Sequence, residues 1–100
     1  MKKNKNIFLG KKILIYGLGK SGISSYKFLK NYNKVYLFDD NKKDDLKIHQ
    51  QQIKKSEIPK IKLDRIIVSP GIDISNCKLS KFLKKNSSKI YTDLDVFYSF

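Results

Sequence analysis

One hundred residues suffice for one small domain with a single hydrophobic core and leave no room for two. The chain is 40% hydrophobic and 31% charged, no segment approaches the roughly 20 apolar residues of a membrane span, Ile7–Leu9 is too short for a signal-peptide core, and one cysteine, Cys77, excludes an internal disulfide, so a soluble, cytoplasmic protein is expected. The net charge of +13 comes from 21 lysines spread along the chain and a single arginine, Arg65, which predicts solvated lysine faces and no specific nucleic-acid partner, since base and phosphate recognition favours arginine's planar fork.

Lys12–Tyr16 is short, apolar and β-branched, as in a parallel strand buried on both faces. Gly17, Gly19 and Gly22 follow in the spacing G-x-G-x-x-G. A helix is predicted from Ser21 to about Tyr32, with Ile23, Tyr26 and Leu29 inward and Lys27 and Lys30 outward. Lys34–Phe38 is the second strand, and Asp39-Asp40-Asn41 is a polar turn behind it. In residues 42–57, Leu46, His49 and Ile53 fall on one face of a short helix, although glutamines and lysines dilute the pattern. Ile58–Ile61 reads as a short edge strand, where Pro59 is tolerated. Arg65–Val68 is a buried strand that Ser69-Pro70-Gly71 stops abruptly. Asn76–Lys85 predicts a helix through Leu79, Phe82 and Leu83. Lys89–Tyr91 is a last short strand, and Thr92 or Asp93 caps a terminal turn running to Tyr98. Strands alternating with helical segments predict a single α/β domain, a Rossmann-like, doubly wound parallel sheet. Ligands of such sheets sit at the carboxyl ends of the strands, so Gly17–Gly22, Asp39–Asn41 and Ser69–Gly71 are expected to converge there.

Each loop has a chemistry. Gly17 permits a tight turn, Gly19 presents no side chain to a ligand, and Gly22 lets the helix pack against the strand. The helix start aims unpaired N–H groups and a positive dipole end at an anion, with Lys20 and Ser21 beside it. Asp39 stands twenty residues after Gly19, where an acidic residue accepts from ribose hydroxyls; the alternative for the pair is Asp40 accepting from a base. Ser69 offers a hydroxyl and Gly71 an amide. The bland readings are a glycine turn without a ligand, a polar helix-cap cluster and a rigid strand-ending turn. The first two loops fit a nicotinamide-binding Rossmann domain equally well, whereas Ser69–Gly71 is unusual there. A noncatalytic interaction module that kept the fold and lost its ligand is a third reading.

Other residues carry little. His49 has no Cys or His neighbour, Cys77 has no partner thiol, and Asp93 and Asp95 point apart on a helix, so no catalytic or metal-ligating residue is assigned. No G-x-x-x-x-G-K-[ST] sequence occurs.

Taken together the loops resemble the N-terminal domain of the Mur ligases, in particular the D-glutamate-adding branch of that family. The resemblance is carried by KKILIYGLGKSGISS at 11–25, VYLFDD at 35–40, DRIIVSPGI at 64–72 and TDLDVF at 92–97. It implies that the domain holds the UDP part of UDP-N-acetylmuramoyl-L-alanine. The residues so implied are Gly17, Gly19, Lys20, Ser21 and Gly22 near the diphosphate, Asp39, Asp40 and Asn41 at the uracil end, and Ser69, Pro70 and Gly71 on the third turn. Asp40 and Asn41 depart from the hydroxyl and basic residues that relatives often carry. The resemblance also implies a central ATP-binding domain and a C-terminal domain after Phe100, with ATP and magnesium as cofactors of the full-length enzyme and none in this chain. This chain alone is then expected to bind a UDP-sugar weakly and to catalyse nothing, and its aromatic tail to face the central domain.

Overall fold

The computed structural model describes residues 8–40 and 52–99. Its elements in chain order are β1 (Lys12–Tyr16), α1 (Lys20–Leu29), β2 (Lys34–Phe38), a 3₁₀ helix (Lys55–Lys60), β3 (Arg65–Val68), α2 (Ser80–Lys85), a 3₁₀ turn (Ser87–Lys89), β4 (Ile90–Tyr91) and α3 (Asp93–Ser99). The strands form one all-parallel sheet in the order β2-β1-β3-β4. Chain order reverses at β1, from which the sheet grows to β2 on one side and to β3 on the other, so the strand tips open a crevice between β1 and β3.

Strand alternation divides the core in two. Ile13, Ile15, Val35, Leu37 and Ile67 project to one face and pack with Leu29 of α1, Val96 of α3 and Phe8. Leu14, Tyr16, Phe38, Ile66 and Val68 project to the other and pack with Ile58, Leu79 and Leu83. Both faces are covered, which is why β1, β2 and β3 read as nearly continuous apolar runs and not as alternating ones. This is the doubly wound α/β arrangement expected from the sequence.

Side chains tie the strand starts together. Asn33 accepts from the Lys11 amide at 3.0 Å and donates to the Phe8 and Leu29 carbonyls, which ends α1 and sets the entry to β2. Asp64 accepts from the Lys12 amide at 2.8 Å. Thr92 caps α3, with its amide donating to Asp95 Oδ2 at 2.8 Å and its hydroxyl facing the Asp95 amide.

Three expectations are corrected. Ile58–Ile61 is not an edge strand: Lys55–Lys60 winds as a 3₁₀ helix, Glu57 accepts from the Lys54 amide at 2.8 Å, and Ile61 N–H closes on the Ile58 carbonyl. Proline's fixed φ suits that winding as well as it suits an edge. Meanwhile α2 begins at Ser80, four residues after the expected Asn76, because Asp73 draws Ser75 and Asn76 into a turn of their own. Of the short helix expected through Leu46, His49 and Ile53, Leu46 and His49 lie outside the described residues, and Ile53 is not helical, because it is drawn into extended pairing beside β2. Gln52 forms a parallel bridge with Leu37, and the Ile53 amide donates to the Leu37 carbonyl at 2.9 Å, on the outer edge of β2.

Candidate functional site

The tips of β1, β2 and β3 meet around a cleft of about 260 Å³. Gly17 and Gly19 line it from the first loop, Asp39 and Asp40 from the second, Ser69 and Gly71 from the third, and Ile72, Asp73, Asn76 and Cys77 close the far side.

The three glycines of the first loop do different work. Gly17 has φ +101°, and its N–H donates to the Phe38 carbonyl at 2.9 Å. A Cβ there would stand 2.6 Å from Ser69 Cβ, so the residue lets the first and third loops touch. Gly22 is buried in α1, and a Cβ there would overlap the Gly17 carbonyl oxygen. Gly19 has open space beside its Cα and is the N-cap of α1. That helix start carries no side-chain cap and no acidic residue in its first turn. Ile23 N–H is the first to reach an intrahelical acceptor, the Gly19 carbonyl at 3.0 Å. The amides before it present the positive end of the helix to the cleft mouth.

The loops are laced to one another. Asp39 Oδ2 accepts from the Leu18 amide at 2.6 Å, joining the second loop to the first. The Ser69 amide donates to the Tyr16 carbonyl at 2.9 Å, and the Ser21 and Ser69 hydroxyl oxygens lie 3.5 Å apart. Ile72 N–H closes the Ser69-Pro70-Gly71 turn on the Ser69 carbonyl. Asp40 Oδ1 accepts from the Tyr16 hydroxyl at 2.7 Å, and its Oδ2 from the Lys78 amide at 3.2 Å.

Electrostatics follow from these bonds. Burial pushes the Tyr16 hydroxyl well above the ordinary phenol range, and the Cys77 thiol and Asp40 carboxylate beside it add to the shift. Hydrogen bonds from the Asn76 side chain and the Ser75 amide hold the Asp73 carboxyl below the usual carboxylate range. Among the described residues, no cluster of three or more His, Cys, Asp and Glu side chains is placed to hold a metal ion.

Of the sequence-predicted site residues, Gly17, Gly19, Asp39, Asp40, Ser69 and Gly71 are brought together on this cleft. Lys20 and Ser21 line a second cavity of about 350 Å³ on the outer flank, between α1 and α3, with Phe28, Leu94 and Phe97. Pro70 is exposed at the corner of the third turn, and Asn41 lies outside the described residues. Sequence reasoning missed the wall formed by Ile72, Asp73 and Asn76. Its signal was Asp73-Ile74-Ser75-Asn76, a pattern in which an aspartate bonds the backbone two residues on.

The family model for the Mur ligase MurD-like N-terminal domain matches residues 11–90. Relatives with the name UDP-N-acetylmuramoylalanine–D-glutamate ligase include one from Caldicellulosiruptor saccharolyticus, 30% identical over 91% of this chain and 22% of its own length. One from Rickettsia bellii is 33% identical over 84% of this chain and 20% of its own length, and one from Rickettsia conorii is 32% identical over 88% and 18%. The chain thus spans about a fifth of the length of the curated relatives it matches. No solved structure matches.

Proposed function

Since the chain belongs to the Mur ligase MurD-like N-terminal domain family, we propose that it forms the nucleotide-sugar-binding part of a D-glutamate-adding ligase of peptidoglycan precursor synthesis. The ligand is UDP-N-acetylmuramoyl-L-alanine, with its UDP end in the cleft at the strand tips. The observation that carries this reading is the meeting of three loops around an uncapped helix start.

The diphosphate sits at the start of α1, where Gly19 leaves room for it and the first-turn amides of Lys20, Ser21 and Gly22 donate to its oxygens. Lys20 adds a positive charge on the flank. Asp39 and Asp40 form the wall that the uracil end meets, with Asn41 following them. Ser69, Pro70 and Gly71 close the opposite side and keep the first loop in register through Gly17.

This chain binds and orients, and performs no bond-making of its own. The carboxylate of the bound substrate is activated with ATP and magnesium in the full-length enzyme, where D-glutamate attacks it. In this reading those steps are the work of the ATP-binding and C-terminal parts of the full-length enzyme, and the isolated N-terminal part is inactive.

A thermal melt of the purified chain with UDP-N-acetylmuramoyl-L-alanine, and separately with NADH, tests the assignment. Ligand at a hundredfold above its Kd stabilises a folded protein by about 2.7 kcal/mol. The expected result is a shift with the UDP-sugar and none with NADH. A shift with NADH alone, or with neither, overturns it.

A further inference from the structure

Asp40 joins three elements that are far apart in sequence. Tyr16, at the end of the central strand β1, is fully buried, and its hydroxyl donates to Asp40 Oδ1 at 2.7 Å. The Lys78 amide, ahead of α2, donates to Oδ2 at 3.2 Å, and Lys78 Nζ donates to the Asp40 carbonyl at 2.9 Å. One residue thus takes a bond on each carboxylate oxygen and a third on its backbone. A phenol buried in a core requires an acceptor, and a charged acceptor makes that bond short and strong. Both oxygens of the carboxylate point at the protein itself.

The location of this brace gives it a consequence. Asp40 belongs to one wall of the cleft, and Lys78 directly follows Cys77, the last residue of the facing wall. We propose that Asp40 is a positioning residue which sets the width of the cleft by clamping the loop after β2 to the segment before α2, with Tyr16 as its fixed anchor. Within the acidic pair the roles divide. Asp39 ties the second loop to the glycine loop, and Asp40 ties it across the cleft. The ligand named in the test rests on the nucleotide-sugar reading, whereas the clamp itself does not.

The test uses Tyr16→Phe, which removes one oxygen and leaves the ring and every carboxylate in place, and Lys78→Met as a second variant. Cys77 is the only cysteine in the sequence and lines the cleft beside Lys78, so its alkylation rate reports on that wall without any ligand; because its thiol also meets the Tyr16 hydroxyl, Lys78→Met, which leaves that hydroxyl in place, is the deciding variant. Loss of a hydrogen bond to a charged group predicts about a tenfold faster alkylation of Tyr16→Phe. UDP, which spans both walls, is expected to bind about tenfold more weakly, in line with the same lost bond. Inorganic pyrophosphate, which reaches only the helix start, binds unchanged. Lys78→Met shifts both readouts in the same direction by less, because its backbone amide remains.

A wild-type alkylation rate in Lys78→Met overturns the clamp, whatever the rate in Tyr16→Phe. So does an equal loss of UDP and pyrophosphate binding, which reports general destabilisation. If the unmodified protein binds neither UDP nor pyrophosphate, the nucleotide-sugar reading falls while the alkylation rates still decide the clamp.

Discussion

Gly17→Ala tests the packing that brings the first and third loops together. Two penalties act at once. The residue holds φ at +101°, a conformation that costs a side-chain-bearing residue about 1–3 kcal/mol. The new methyl would stand 2.6 Å from Ser69 Cβ and 2.9 Å from Ile72 Cδ1, and overpacking of this kind costs about 1–3 kcal/mol more. The isoleucine methyl can swing away, but the serine Cβ is held by the hydrogen bond that the Ser69 N–H donates to the Tyr16 carbonyl. A loss of about 3 kcal/mol is therefore expected, a large part of the ~5–15 kcal/mol that holds a domain together. For about 100 residues this lowers Tm by about 12 °C or more. Urea unfolding followed by tyrosine fluorescence measures it, and Ser69→Gly separates the terms. In the double variant the overlap is relieved and the backbone strain remains, so the two substitutions couple by about 1 kcal/mol or more. Gly19→Ala is the control, since φ there is −76° and no atom lies within 4 Å, and it stays within about 0.5 kcal/mol of wild type. A Gly17→Ala protein as stable as wild type would refute the reasoning. Additive behaviour with Ser69→Gly would refute its steric half.

Stability also depends on pH at both ends. The Lys12 amide holds the Asp64 carboxyl below its ordinary value, and Asn76 and Ser75 do the same for Asp73. A depressed folded value means a contribution present above the unfolded pKa of about 4 and lost as pH falls through the folded one, so urea midpoints should drop below about pH 4. Asp64→Asn is expected to flatten that slope, and an unchanged slope would count against the Lys12 bond. Tyr16 has the opposite sign. Its folded value is raised, so its contribution is complete below the unfolded value of about 10 and declines as pH rises beyond it. The alkaline loss should be smaller in Tyr16→Phe, and equal losses would show that another group titrates there.

Much of the fold was legible because burial on both faces leaves a plain mark. Lys12–Tyr16, Lys34–Phe38 and Arg65–Val68 are apolar runs in the sequence and strands with the same bounds in the structure. Residues 58–61 misled because Pro59 and the apolar residues around it suit an edge strand and a 3₁₀ turn alike. What decides between them is local bonding at Glu57 and Ile61, which carries no periodic signal. The helix around Leu79 and Leu83 was found by its spacing, but its start was placed too early, since Asp73 competes for the backbone just ahead of it. At the site, the strand-tip rule located the glycine loop, the acidic pair and the Ser-Pro-Gly turn together. The partners of Asp40 were invisible. Tyr16 reads only as the apolar end of a strand, and Lys78 as one of 21 lysines, because contacts across 24 and 38 residues leave no pattern along the chain.

The bridge from Gln52 and Ile53 to Leu37 has a bearing on how copies of this protein behave at high concentration. A bare outer strand offers its amides and carbonyls to any passing chain, and a lysine-rich surface alone gives incomplete protection once salt screens it. At one margin of the sheet, the Ile53 amide already occupies the Leu37 carbonyl. At the other margin the strand is two residues long, too short to template an intermolecular ladder. Variants that pull residues 52–53 off Leu37 are therefore the ones in which self-association through the sheet should first appear.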